Sequence, residues 1–221
     1  MLSRFTLVLL ISLVSLSLAT AAVQIDHKRE GSDDLDPKCD PGYYPGFQTS
    51  SFQFDLPAEA FIKAAGSFQH AEWYVSTMHF YARNRKFDDG FPCQIGPTIA
   101  TDGPDNTIGS TRTGNFSGTF FTERLVEYSC SSTRLDVEFE SVAPITFPWV
   151  PNPVAFSYYR EEWNVESICA RTATYFTLKA KFCAVDAVEA YKLFIDYRKE
   201  TVAGLANTLK AEVFEGTCPG H

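Results

Sequence analysis

The chain has 221 residues, 45% of them hydrophobic and 21% charged, a balance that suits one globular domain with a sizeable core. Its formal charge of −8, with no basic run, excludes general attraction to nucleic acid or to anionic membrane surfaces. Nineteen Phe and ten Tyr fit a dense aromatic core and an apolar ligand pocket equally well.

Residues 1–21 read as a signal peptide. Arg4 gives a basic start, an apolar run follows to Leu18, and Ala19-Thr20-Ala21 offers a small-residue cleavage site. A membrane anchor is the competing reading, but the run is shorter than the ~20 residues a span requires. A secreted protein, or one held in the secretory lumen, is therefore expected, with no integral membrane span. Residues 22–48 form a polar leader, in which Lys28-Arg29 is a candidate dibasic processing site. The folded domain is expected over 49–215, with a tail at 216–221.

Six cysteines then acquire a meaning, because the secretory route is oxidising. Cys39, Cys93, Cys130, Cys169, Cys183 and Cys218 are expected in three disulfides, the pairing being open. None has zinc-site spacing, so no metal is expected.

The first strand is read at 51–55. Pro57 opens a helix over 58–65, since proline suits a first helical turn, and Gly66 ends it. A second short helix is read at 67–73 and a second strand, carrying His79, at 74–83. Residues 85–106, broken by Gly and Pro, read as an irregular insertion of the kind that lids an entrance. Strands follow at 109–113 and 119–128, joined by a turn over 114–118. Alternation there puts Phe121, Glu123, Leu125 and Glu127 on one face. A carboxylate between apolar residues is costly in a dry core, and reasonable where a face meets a polar ligand group. Arg112, on the preceding strand, is its available cation.

The next strand, 134–140, alternates with Leu135, Val137 and Phe139 on one side. A proline-rich loop precedes the last two strands, 155–168 and 172–182. In the first of these, Tyr158, Arg160, Glu162 and Asn164 share one face. Tyr159, Glu161, Trp163 and Val165 share the other and compete for the interior. A long helix is read at 186–214. Asp186 and Glu189 form a capping box, and Tyr191, Phe194, Ile195, Val202, Leu205 and Leu209 form its packing face.

The sequence Gly109-Ser110-Thr111-Arg112, then Gly118, then Glu123-Arg124-Leu125, resembles the SRPBCC superfamily of helix-grip proteins. These include birch-pollen-type allergens, START lipid carriers, polyketide cyclases and abscisic-acid receptors. The resemblance implies an α+β helix-grip fold: a curved seven-stranded antiparallel sheet wrapped around a long C-terminal helix, with an internal cavity. It implies that Glu123 acts as a general base or water-positioning group and that Arg112 holds an anionic oxygen or Glu123 itself. The bland alternative is a structural ion pair between neighbouring strands. By the same resemblance Tyr158 takes the place of a cavity tyrosine, with Arg160, Glu162, Phe121, Leu125 and His79 beside the ligand. The receptors' Ser-Gly-Leu-Pro-Ala gate is absent, so a hormone gate is not implied. Asn115-Phe116-Ser117 stands there as the one N-glycosylation acceptor.

Signal, leader and core together resemble secreted cyclases of fungal secondary metabolism, including those that dimerise maleic-anhydride monomers. The implied function is a cofactor-independent cyclase acting on a small hydrophobic, polyketide-like metabolite by orientation and proton transfer. Two further readings are a non-catalytic carrier of lipids or other small apolar ligands, and a secreted interaction protein with a vestigial pocket. Whether the chain is an enzyme is left open by its residues.

Overall fold

The structure is a computed structural model that describes residues 38–70, 95–116, 119–148 and 152–218. Strand β1 runs Tyr44–Phe54, helix α1 Ala58–Ala65, β2 Ile95–Asp102, β3 Thr111–Phe116, β4 Thr119–Cys130 and β5 Arg134–Ser141. There follow β6 Ile145–Phe147, β7 Val154–Ile168, β8 Ala173–Ala184, helix α2 Ala187–Leu209 and β9 Val213–Phe214. All pairings are antiparallel, in the order β2-β3-β4-β5-β7-β8-β1-β9, with β6 on β7. The α+β class is as expected. Among the described residues the sheet has nine strands: six of the seven expected, with β2 and the short β6 and β9, of three and two residues, added to them.

Several expected boundaries move. β1 begins at Tyr44, before the expected 51, since its pairing with β8 continues to Tyr44↔Ala184. The described part of the expected second helix, 67–70, is not helical: Asp105 accepts hydrogen bonds from Ser67 Oγ and the Gln69 amide, and Asn106 from the Phe68 amide. The expected strand at 74–83 lies outside the described residues. The supposed irregular insertion carries β2, which pairs with β3 despite Gly96 and Pro97, with a register shift beyond Gly96.

Helix α2 starts where Asp186 caps it, accepting from the amides of Val188 and Glu189. Glu189 turns instead to Lys192, so only half of the capping box forms. The helix stops at Leu209, short of 214, because Lys210 is left-handed (φ 54) and its amide closes on Ala206 and Asn207 carbonyls. The chain then returns as β9 to pair with Gln53 and Phe54 of β1. Leu193 is buried on the packing face and Tyr191 is exposed, the reverse of the expectation for Tyr191.

Cys39 is bonded to Cys183 and Cys169 to Cys218. The first bond fastens the segment before β1 to the end of β8, and the second fastens the β7–β8 turn to the tail. Two disulfides fit an oxidising, secretory-type environment. Among the described residues Cys130 is an exposed free thiol, against the expectation for it, and Cys93 lies outside those residues. Among the described residues, no helix is long and apolar enough to cross a membrane.

The buried face of the sheet carries two apolar clusters. One gathers Phe54, Phe61, Phe68, Phe139, Trp163, Phe176, Leu178 and Leu205. The other gathers Val154, Phe156, Tyr159, Phe182, Leu193 and Phe194.

Candidate functional site

Where an element passes from one cluster to the other, its buried side chain is polar. On β4 the order is Phe121, Glu123, Leu125; on β7 it is Tyr159, Glu161, Trp163; on α2 it is Phe194, Arg198, Val202. Two-residue steps keep one face of a strand, and four-residue steps keep one face of a helix. Glu123, Glu161, Arg198 and Arg112 are each 4% exposed or less. Two arginines and two glutamates thus form a charge-balanced polar belt inside the fold.

Arg112 and Glu123 are brought together as the sequence suggested, by the register pair Arg112↔Glu123. Arg112 Nε donates to Glu123 Oε2 at 2.7 Å, and another guanidinium nitrogen donates to the Phe68 carbonyl at 2.8 Å. The rings of Phe68 and Phe139 lie 4.6 and 4.7 Å from the guanidinium carbon, with Trp163 at 5.2 Å. Aromatic faces attract a desolvated cation, which offsets part of its burial cost. Tyr159 Oη donates to the second oxygen of Glu123 at 2.9 Å. Burial and the adjacent Glu123 raise the Tyr159 hydroxyl well above its ordinary pKa, so it remains a neutral donor.

Glu161 is the other carboxylate of the belt. Its Oε2 lies 3.6 Å from an Arg198 guanidinium nitrogen and makes no hydrogen bond among the described residues. Burial pushes its pKa up from 4.5 to about 7; Arg198 and Arg112 oppose the rise, and Glu123 adds to it. Arg198 also donates to the carbonyls of Gln48, at 3.3 Å, and Leu178, at 3.0 Å. A carboxyl titrating near neutrality can both hold and release a proton, as general acid–base chemistry requires.

Tyr158, Arg160 and Glu162 are not in this interior, which corrects their expected orientation. The register of β7 against β8 shifts between Phe156 and Tyr158, leaving Ser157 as an extra residue. Such a bulge carries the inward phase from Phe156 to Tyr159. On the outer face Arg160 pairs with Glu138, Glu162 with Lys179, and Tyr158 with Glu140. A bulge at Val126 likewise turns Glu127 outward and brings Tyr128 in, where its hydroxyl donates to the Gly66 carbonyl. Leu125 is buried in the first cluster, and Phe121 packs against the second. Asn115 is half-buried within β3 rather than on a turn. His79 lies outside the described residues.

The sequence reading set Tyr159 and Glu161 on the face competing for the interior, not among the candidate site residues, and it left out Arg198. A signal for Arg198 was present: it replaces an apolar residue in the series Phe194, Arg198, Val202. Among the described residues, no group of three His, Cys, Asp or Glu side chains gathers as metal ligands would.

No family model and no curated protein matches the sequence. Solved structures do match its fold. A major latex-like protein of Panax ginseng superposes with a TM-score of 0.50 at 11% identity, over 74% of this chain and 97% of that one. An uncharacterised protein of Bacillus thuringiensis superposes with a TM-score of 0.50 at 17% identity, over 74% of this chain and 98% of that one. The chain has the helix-grip fold. In helix-grip terms, α2 is the gripped helix, and the polar belt lies where it meets the sheet.

Proposed function

We propose that this helix-grip protein binds a small, mostly apolar molecule between α2 and the sheet, and that the polar belt orients the molecule's polar group. The observation carrying this reading is the set of Arg112, Glu123, Tyr159, Glu161 and Arg198, placed by three strands and α2 at the seam of two aromatic clusters. Evolution of a core alone has little need of four buried charges, since apolar replacements of equal volume are often as stable. In the catalytic form of the reading, the protein is a secreted, cofactor-independent cyclase acting on a polyketide-like metabolite. Glu161 carries the proton, while the Arg112–Glu123–Tyr159 group fixes orientation. Both oxygens of Glu123 are already hydrogen-bonded, so it serves as an orienting group rather than as the base. That saturation also favours a second reading, a secreted carrier that holds its ligand unchanged.

Native mass spectrometry of protein from its own host tests the shared claim. The expected result is an added mass of a small apolar compound, released by organic extraction. A chain that carries no ligand and takes up no apolar probe would overturn it. Incubating the recovered compound with fresh protein separates the two forms. Conversion that falls ~10²–10⁴-fold in Glu161→Gln, with binding retained, marks the enzyme. An unchanged compound marks the carrier.

A further inference from the structure

Beside Arg198 the belt holds polar atoms that the Arg112 group does not use. Gln48 and Glu161 both pair in register with Ala180, from opposite sides of β8. They therefore lie on one rung of the sheet, separated by a single methyl group. Arg198 of α2 reaches both residues, and Thr201 lies one turn further on the same buried face. Gln48 Nε2 donates to the Thr49 carbonyl at 2.9 Å and to Ser50 Oγ at 2.7 Å. Both donors of the amide are thus engaged, which fixes its orientation and leaves Oε1 as a pure acceptor. Gln48 Oε1, Glu161 Oε2 and Thr201 Oγ1 have no hydrogen-bond partner among the described residues. Their residues are 2%, 4% and 0% exposed, so bulk water does not serve them. Unpartnered buried polar atoms are costly: Gln48 Oε1 and Thr201 Oγ1 have no partner among the described residues, Glu161 Oε2 has only its ion pair with Arg198 at 3.6 Å, and one shared partner reaching all three would satisfy them.

The chemistry of that partner is constrained. Gln48 Oε1 needs a donor. Thr201 Oγ1 gives or takes a proton, and the Glu161 carboxyl does either according to its protonation state. A carboxylate or phosphate brings only acceptors and adds negative charge beside Glu161. An ammonium is repelled by Arg198. A hydroxyl both donates and accepts, without charge. We infer that Gln48, Glu161 and Thr201 form a subsite for the hydroxyl group of an otherwise apolar ligand. This rests on the reading of the interior as a ligand site.

The test uses the mature protein and a pair of fluorescent probes of nearly equal shape, 2-naphthol and 2-methylnaphthalene. Titrations give the ratio of the two dissociation constants, which cancels the apolar contribution they share. Thr201→Val keeps shape and removes the hydroxyl; Gln48→Met removes the acceptor. Each is expected to reduce the preference for 2-naphthol by roughly threefold to tenfold, the effect of one hydrogen bond, while 2-methylnaphthalene binds as before. If both probes bind and the ratio is the same in wild type and variants, the subsite is refuted and the ligand-binding reading stands. If neither probe binds the wild type, the ligand-binding reading fails and takes the subsite with it. Thermal melting of each variant identifies one that has not folded, and the other then carries the comparison.

Discussion

Glu161 of β7 and Arg198 of α2 form an ion pair, at 3.6 Å, that bridges the sheet and the helix inside the fold. Burial holds the Glu161 carboxyl at about 7, above its ordinary value of 4.5. The folded state therefore binds this proton more tightly than the unfolded state does. Stability referable to Glu161 is complete below about pH 4.5 and declines as pH rises towards 7, where the folded group also ionises. The charged groups acting on it are Arg198, Arg112 and Glu123. A shift of this size corresponds to roughly 3 kcal/mol over that window. Glu161→Gln keeps the neutral form at every pH. Urea unfolding at a series of pH values is expected to show the variant gaining on the wild type from pH 5 to 7. Parallel curves would contradict the assignment.

The Arg112–Glu123 pair makes the opposite kind of prediction, because both members are compensated. Glu123→Gln leaves the Arg112 cation buried without its anion and is expected to cost about 3–5 kcal/mol in urea unfolding. Tyr159→Phe removes one hydrogen bond to a charged oxygen and is expected to cost about 1.5–3 kcal/mol. Replacing both charges, Arg112→Met with Glu123→Leu, is expected to restore much of the loss. A double variant less stable than either single one would show that the pair is not a compensated unit.

These two pairs also mark what the sequence made legible. Arg112 and Glu123 were readable because they sit on consecutive strands of one hairpin, where pairing follows from the turn. Residues Ala58–Ala65 and the start of α2 were readable from Pro57, Gly66 and Asp186, which act locally. The inward face of β7 was not, because the bulge at Ser157 reverses the phase and no single residue announces it. Tyr158, Arg160 and Glu162 were placed in the interior by the family resemblance, with the face of Tyr159, Glu161 and Trp163 left competing for it, and the bulge turns that second face inward. Their actual partners, Glu138, Glu140 and Lys179, come from other strands. Arg198 meets Glu161 across the helix–sheet contact, a relation that only the tertiary fold creates.

Gly46 of β1 lies against Phe182. A Cβ at Gly46 would come within 2.1 Å of the Phe182 ring, which is itself fully buried and stacked on Phe194 at 5.3 Å. The ring has no free space into which to retreat, so Gly46→Ala forces the second cluster to repack. Overpacking of this kind typically costs ~1–3 kcal/mol. Leu205→Ala, which empties a fully buried position of the first cluster, is expected to cost about 2–5 kcal/mol. Thermal or urea unfolding checks both, and a Gly46→Ala protein as stable as wild type would mean that β1 and β8 are not this close.

The disulfides give the last prediction. Alkylation of the native protein before reduction is expected to label Cys130 and to spare Cys39, Cys169, Cys183 and Cys218. The bonds Cys39–Cys183 and Cys169–Cys218 join residues 144 and 49 apart in sequence. A cross-link restrains the unfolded chain more as the loop it closes grows longer. Loss of either bond is expected to cost about 2–5 kcal/mol. The longer loop is expected to cost about 1 kcal/mol more than the shorter, from the logarithm of the ratio of loop lengths. Paired Cys→Ala variants, compared by urea unfolding with each bond removed in turn, measure that difference. Label at Cys39 or Cys218 in the native protein would contradict the pairing. A larger loss from the shorter loop would show that native contacts of the β7–β8 turn with the tail, rather than chain entropy, set the contribution of the Cys169–Cys218 bond.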